Sequence, residues 1–391
     1  MSKNAFLAKF AHLTRSTVAK GTGQGRAWVH RPIVSAPMNA WSGPKLVAAV
    51  ANHGGMPMYP IGYFTDPSKI LADLQTIPPL LEDSELQKDD PEDPAGTKFL
   101  PYGVGFITFW LDRQGPELLL SILKGQGDIP NRRSFARPPA AVWFSFGDYR
   151  PYLQLIRDHG APETRIIVQV QTVQEALDAQ RENVDVIVLQ GTESGGHGAQ
   201  RISPLMSLLP ETVQALQSQM ASAASSSTPL AMPALLAAGG ISKNTQLAAV
   251  QSLGASGAVV GTGFMVTHES PGPQKAKDRL LQTQDGGVST VRTRVFDELR
   301  SFEWPQAYDG RVIRNLVTER EEQDLREHGL YNPQGEASFK LLREDRAGTK
   351  ADWDKATREQ DFDLLPIWCG TGVGMLKKSV SAGEFMAQLA D

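Results

Sequence analysis

One stretch decides the fold class of this chain: Val186-Ile-Val-Leu-Gln-Gly-Thr-Glu-Ser-Gly-Gly-His-Gly198. Its first four residues are apolar and have the composition of a strand that is buried on both faces. The strand is predicted to end at Gly191 in a small polar loop that carries Gly195, Gly196 and His197. A buried strand that brings a histidine and bare glycine backbone to one end of a sheet is typical of an active site. His197 is therefore the first candidate for a catalytic residue, and a hydrogen-bonded structural histidine is the alternative.

The same unit of a short apolar strand and a helix recurs along the chain. Strands are predicted at 32–38, 56–61, 102–107, 141–144, 165–170, 186–189, 234–237 and 258–260. Eight such units predict a (β/α)8 TIM barrel. A doubly wound open sheet is the alternative, but eight strands without a strand–GxGxxG–helix unit disfavour it. Thr172 is predicted to cap the helix after the fifth strand, with Glu175 completing a capping box.

The regions outside the barrel differ from it in composition. Residues 32–269 are assigned to the barrel, 270–365 to an added helical subdomain and 366–391 to a C-terminal return to the barrel. Residues 1–31 contain six Lys or Arg and no acid, which resembles a mitochondrial transit peptide. The favoured interpretation is a lead-in helix, because the first strand follows immediately. We expect a cytoplasmic protein, with a mitochondrial one as the alternative.

Composition argues against several classes of partner. The net charge of −4 and the pI near 6.0 disfavour nucleic acid, which is usually bound by a basic surface. No apolar run reaches the length of about 18 residues that a membrane span needs. The single cysteine, Cys369, cannot form an intrachain disulfide, and no histidine pair has metal-ligand spacing. We expect a monomer or homodimer that binds small molecules and no metal.

Candidate site residues follow the strands, because the C-terminal ends of the strands form the functional face of a barrel. They are Ala36, Pro37, Met38 and Asn39 after the first strand, Gln190, Gly195, Gly196 and His197 after the sixth, Ala238, Gly239 and Gly240 after the seventh, and Gly261 and Thr262 after the eighth. The last two loops predict a phosphate site. Glycine lets a phosphate approach backbone N–H groups, and the Thr262 hydroxyl adds a donor. Plain turns are the alternative.

Several motifs together resemble the nitronate monooxygenase family, formerly called 2-nitropropane dioxygenase. They are Pro32-Ile-Val-Ser-Ala-Pro-Met38, Gly191-Thr-Glu-Ser-Gly-Gly-His197, Ala237-Ala-Gly-Gly-Ile241, Leu253-Gly-Ala-Ser-Gly257, Gly261-Thr262, Thr290-Val-Arg-Thr-Arg-Val-Phe296, Tyr308-Asp-Gly310 and the Gly370–Gly374 turn. The resemblance implies FMN, with residues 36–38 along the flavin ring and Gln190 near the ring or ribityl chain. It places Gly195 and Gly196 under the cofactor, and Gly239, Gly240, Gly261 and Thr262 at its phosphate. Asn39, which adjoins the first motif, and Ala238, which lies within the third, are included in the predicted FMN site.

The resemblance also implies a reaction. The family oxidises alkyl nitronates with O2 to a carbonyl compound and nitrite, and His197 matches its catalytic histidine. That histidine would act as a base on neutral nitroalkanes or hold the anionic nitronate. Thr192 and Ser194 stand where family members often have an apolar residue and Ala. The resemblance therefore does not specify which nitro compound is the substrate. The alternatives are an NAD(P)H-dependent flavin reductase of a quinone or enoyl thioester, a non-catalytic flavin-binding protein and a tailoring oxidase.

Overall fold

The computed structural model describes residues 32–82, 100–124, 138–159, 164–224, 230–300, 302–327 and 346–390. The predicted leader at 1–31 lies outside the described residues. Within the described ranges, eight parallel strands close into a barrel, which confirms the predicted fold class. The barrel strands are β1 (Ile33–Ser35), β2 (Met56–Pro60), β3 (Leu100–Ile107), β4 (Pro139–Ser145), β5 (Arg165–Val170), β6 (Val186–Gln190), β8 (Ala234–Ala238) and β9 (Gly257–Val260).

The barrel closes where the first and last of these strands pair. Val34 of β1 lies opposite Val259 of β9, and Ala237 of β8 lies opposite Ala258 of β9. Because all eight strands are parallel, their carboxyl ends lie at one face of the barrel. Every loop that follows a strand therefore opens on that face.

The strands are apolar on both faces because each face packs against a different layer. Val34, Met58, Trp143 and Val188 point into the barrel and form one buried cluster. The alternate residues of the strands join a larger cluster with the surrounding helices. The interior is crowded, since a Cβ at Gly105 would lie 2.6 Å from the Pro37 Cβ. Glycine at this position lets the loop after β1 cross the mouth of the barrel.

Helices follow the barrel strands and continue beyond the barrel. Those in the described residues are α1 (Pro44–Asn52), α2 (Pro67–Thr76), α3 (Thr108–Gln114), α4 (Glu117–Leu123), α5 (Arg150–His159), α6 (Val173–Arg181), α7 (Leu205–Ser222), α8 (Asn244–Ser252), α9 (Thr262–Met265), α10 (Gln274–Gln282), α11 (Gly286–Ser289), α12 (Val295–Leu299), α13 (Leu316–Glu327), α14 (Arg346–Glu359) and α15 (Ala382–Ala390). None of the described helices is long and apolar enough to cross a membrane.

A second sheet lies at the mouth of the barrel. It consists of β7 (Gly196–Ala199), β11 (Tyr308–Ile313) and β10 (Thr290–Thr293), all antiparallel. The prediction of a loop is therefore wrong for residues 196–199. The segment 270–365 contains the predicted helices and also two strands that the sequence analysis did not identify. Short strands with partners distant in sequence leave no local hydrophobic pattern, and the proposed domain boundaries stay predictions.

The predicted capping box of α6 is present and fixes the end of β5. The Thr172 hydroxyl accepts the Glu175 N–H at 3.2 Å, and Glu175 Oε2 accepts the Thr172 N–H at 2.9 Å. The same carboxylate oxygen accepts the Gln171 N–H at 2.7 Å. The cap therefore fixes both the start of α6 and the backbone of Gln171. The Gln171 side chain points toward the barrel mouth.

Replacing Thr172 by Ala should lower the free energy of unfolding by about 1 kcal/mol, because the first turn of α6 loses its side-chain acceptor. Thr172→Ser keeps the hydroxyl and is the matched control. Equilibrium urea unfolding followed by circular dichroism measures both variants. Equal stability of the Ala and Ser variants would show that the capping box contributes nothing measurable.

Candidate active site

A cavity of about 420 Å³ opens at the carboxyl ends of the barrel strands. Its size lies in the range of small-molecule sites. The predicted site residues that line it are Ala36, Pro37, Met38, Asn39, Gln190, Gly195, Gly196, His197, Ala238, Gly239, Gly240, Gly261 and Thr262. The structure thus brings every residue of the predicted site to one cavity, while the role of each residue stays a prediction.

The loops after β8 and β9 form one side of the cavity, and two residues of the first loop have a backbone conformation that only glycine adopts easily. Gly239 has φ +129° and Gly240 has φ +68°, in the region that side chains disfavour. The Thr262 hydroxyl accepts the Gly370 N–H at 3.0 Å, which leaves its own hydrogen free to be donated. These loops form a cradle that suits a phosphate.

The chain after residue 365 packs directly on this cradle. A Cβ at Gly195 would overlap the backbone of Cys369 and Gly370, and the Thr371 N–H donates to the Glu193 carbonyl at 2.9 Å. Burial raises the pKa of the Cys369 thiol to about 12, so this cysteine is a packing residue and not a nucleophile.

Two buried polar atoms at the cavity lack a partner among the described residues. They are the Ser194 hydroxyl, beside Gly239, and the indole Nε1 of Trp143, at the barrel interior. A Cβ at Gly196, where φ is +70°, would have no described atom within 4 Å. Buried donors normally find a partner. The unsatisfied donors, the open space over Gly196 and the cradle fit a large ligand with hydrogen-bond acceptors and a phosphate.

Three glutamines join the barrel to β7. Gln190 Oε1 accepts hydrogen bonds from Gln169 Nε2 at 2.8 Å and from Gln171 Nε2. Gln190 Nε2 donates to the His197 carbonyl at 2.9 Å, and Gln171 Oε1 accepts the Ala199 N–H at 2.9 Å. The sequence analysis missed Gln169 and Gln171. Gln169 and Gln171 follow Ile167, which points into the barrel, at a spacing of two residues. This spacing is the signal that could have placed them on the inner face.

His197 lies in a buried aromatic and charged setting. Its ring stacks on Trp304 with 3.7 Å between centroids and 2° between planes, and Trp368 lies at 4.8 Å. Its Nε2 is 2.8 Å from Asp297 Oδ2, and the other oxygen of Asp297 accepts from Arg300 at 3.1 Å. The Asp297 side chain is only 1 % exposed. The imidazole is therefore held on two sides, by an aromatic ring and by a carboxylate.

The charge state of His197 follows from this setting. Burial lowers the pKa of His197, the Asp297 carboxylate opposes that shift, and Arg300 adds to it. The imidazole is thus neutral at neutral pH. A carboxylate only accepts hydrogen bonds, so Nε2 carries the hydrogen and Nδ1 keeps a lone pair. This arrangement suits a general base at Nδ1.

Further cavity residues come from segments that the sequence analysis did not select. They include Tyr63, Arg300, Trp304 and Trp368. The Trp304 indole donates to the Tyr63 hydroxyl, and burial raises the pKa of that hydroxyl above its usual range. Asp297 directly follows the motif that ends at Phe296, but nothing local marks it as a partner of His197.

The sequence of the chain matches a family model. The model described as nitronate monooxygenase covers residues 132–391. The chain belongs to the nitronate monooxygenase family. This membership makes the protein a flavin-dependent oxidoreductase, and the cavity described above fits a flavin.

Individual relatives agree with this assignment. The nitronate monooxygenase npaC of Metarhizium robertsii is 32% identical over 314 residues, which is 78% of each chain. The structure of a nitroalkane oxidase from Streptomyces ansochromogenes is 25% identical, with a TM-score of 0.61 over 92% of this chain and 94% of the other. The structure of FabK from Thermotoga maritima has a TM-score of 0.64 at 18% identity over 94% and 95% of the two chains, which shows the shared fold.

Replacing Asp297 by Asn should move the acid limb of the pH profile to lower pH. The negative charge that most favours imidazolium is lost, so burial and Arg300 lower the pKa of His197 with only the weaker effect of Asp309 opposing them. The plateau of kcat/KM should also fall at least about tenfold, because an amide no longer selects the tautomer. The measurement is kcat/KM for neutral nitroethane as a function of pH, because His197 would act as a base on that substrate.

Asp363→Asn is the matched control, because its carboxylate is 65 % exposed and its ion pair among the described residues is with Arg279 at the surface. Its profile should equal that of the wild type. A shift of the acid limb to higher pH in Asp297→Asn would contradict the conclusion that the imidazole of His197 is neutral at neutral pH.

Proposed function

We propose that this protein binds FMN and oxidises alkyl nitronates with O2 to a carbonyl compound and nitrite. The observation that carries the proposal is the position of His197. The imidazole is oriented by Asp297, kept neutral by burial, and lies in the same cavity as the glycine cradle. Membership of the nitronate monooxygenase family supports the reaction class.

FMN is proposed because the cavity has one cradle of the kind that suits a terminal phosphate. Gly239, Gly240, Gly261 and Thr262 would hold that phosphate, and the free hydroxyl of Ser194 would add a donor. Residues 36–39 and Gln190 would border the ring, with Trp143 donating from the barrel interior. When bound, the flavin supplies the electron acceptor for the oxidation.

The protein groups would bind the substrate and move a proton. On a neutral nitroalkane, His197 Nδ1 would take the proton from the carbon that bears the nitro group, which leaves the nitronate. A nitronate is already anionic, so no proton transfer to His197 is needed. The imidazole ring would then orient the substrate. Arg300, which also lines the cavity, adds a positive charge that favours an anion. Trp304 and Trp368 surround the imidazole with apolar surface.

Anaerobic mixing tests the reaction class. The FMN-loaded protein is mixed separately with the nitronate of nitroethane, with NADH and with NADPH, while its visible absorption is recorded. Loss of flavin absorption with the nitronate alone is the expected result. Rapid bleaching by a nicotinamide and none by the nitronate would identify a flavin reductase instead. Failure to take up FMN would contradict the proposal that FMN is the cofactor.

Replacing His197 by Asn should leave flavin binding intact and lower nitronate turnover by about 100-fold, because the ring that would orient the anionic nitronate is removed. His268→Asn is the matched control, since His268 is exposed and outside the cavity. The measurements are the flavin spectrum and kcat/KM. Unchanged turnover would remove His197 from catalysis, and loss of the flavin would make its role structural.

A further inference from the structure

A second cavity of about 490 Å³ adjoins the first and is called here the outer cavity. It lies beside the carboxyl ends of β4 and β5, the start of α5 and the whole length of α6. Its polar lining includes Asp148, Arg150, Glu175, Asp178 and Arg181. Tyr308 of β11 covers it from the side of the small sheet. The outer cavity is thus polar, whereas the cavity around His197 is mainly aromatic and glycine-lined.

The two cavities share a wall. Ser145, Phe146 and Gln169 line both of them. Ser145 and Gln169 are held in place by hydrogen bonds to the Phe106 carbonyl at 3.1 Å and to Gln190 at 2.8 Å. Phe146 is the bulkiest of the three, so its ring is the main obstacle between the cavities.

Phe146 keeps a backbone conformation that a bulky residue seldom adopts. Its φ is +61°, and Gly147 beside it has φ +142°. Such conformations persist where the surroundings enforce them, and they concentrate at functional sites. Here the Phe109 N–H donates to the Phe146 carbonyl at 2.9 Å. The local chain is therefore shaped to direct this ring into the wall.

The ring of Phe146 also belongs to the aromatic group around His197. Its centroid is 5.1 Å from Trp304, which stacks on the imidazole, and 5.3 Å from Tyr308, which lines the outer cavity. A substrate that reacts at His197 and extends away from it along Trp304 would meet Phe146. The first cavity must hold both flavin and substrate, so the space left for the substrate is well below its full volume.

We propose that Phe146 determines substrate length by closing the reaction cavity against the outer cavity. This inference rests on the proposed function and deepens it: the substrates are short-chain alkyl nitronates. Without the ring, the two cavities join, and the tail of a longer nitronate extends between Ser145 and Gln169 into the outer cavity. The four carboxylates there, Asp148, Glu175, Asp178 and Glu182, outnumber the guanidinium groups of Arg150 and Arg181, which disfavours a tail that ends in a carboxylate.

The test compares kcat/KM for the nitronates of nitroethane and nitrohexane in FMN-loaded wild type and Phe146→Ala. The wild type should prefer nitroethane. Phe146→Ala should raise the ratio of nitrohexane to nitroethane roughly tenfold or more, because additional methylenes then enter a pocket. In Phe146→Ala, kcat/KM for a six-carbon nitronate with a terminal carboxylate should increase less than kcat/KM for the nitronate of nitrohexane.

Two further variants separate the role of the ring from its effect on folding. Phe146→Gly removes the ring and accepts the positive φ without strain, so it should change the ratio in the same direction if the Ala variant folds poorly. Phe146→Tyr keeps the ring and should keep the wild-type ratio. The flavin spectrum reports whether each variant retains the cofactor site.

The outcomes distinguish this inference from the proposed function. If the wild type oxidises nitroethane nitronate and neither ring-deleting variant changes the ratio, the role of Phe146 fails and the proposed function stands. A wild type that oxidises nitrohexane as efficiently as nitroethane overturns the length limit. If no nitronate is oxidised, both proposals fail.

Discussion

The antiparallel pairing of β7 with β11 is the constraint on which the site depends. His197 of β7 lies opposite Gly310 of β11, so the chain that follows the barrel is tied to the loop after β6. A Cβ at Gly310 would overlap the indole of Trp368, and glycine lets that indole lie against the strand and beside the imidazole. Without this pairing, the barrel would present a histidine with neither its carboxylate nor its aromatic neighbours.

Arginine side chains hold the small sheet onto the barrel. Arg311 donates to the Thr192 carbonyl at 3.0 Å, which anchors β11 to the loop before β7. Arg292 of β10 pairs with Asp309 of β11 through Nε at 2.7 Å. Burial lowers the pKa of Arg311, but a guanidinium stays charged in proteins and can bridge several carbonyl groups at once. These contacts let a sheet of short, glycine-containing strands keep its register.

The site therefore has two halves with different origins. The half that fits a flavin phosphate consists of loops after barrel strands, where glycines and free donors such as Ser194 surround open space. The reactive half combines His197 with Asp297, Arg300 and Trp304 from the segment beyond the barrel. This division is consistent with a common fold that hosts different chemistries through its added segments.

The sequence by itself determined the barrel, the cap of α6 and the residues of the glycine-lined half of the cavity. These features are local: strand periodicity, a capping box and glycine after a buried strand each lie within a few neighbouring residues. Only the tertiary structure decided that residues 196–199 form a strand and that Asp297, Trp304 and Phe146 surround the reactive region. The physical reason is that each of these contacts joins side chains from different elements, and His197 and Asp297 lie 100 residues apart. No local pattern records a pairing over that distance, since only the packed fold brings the partners together.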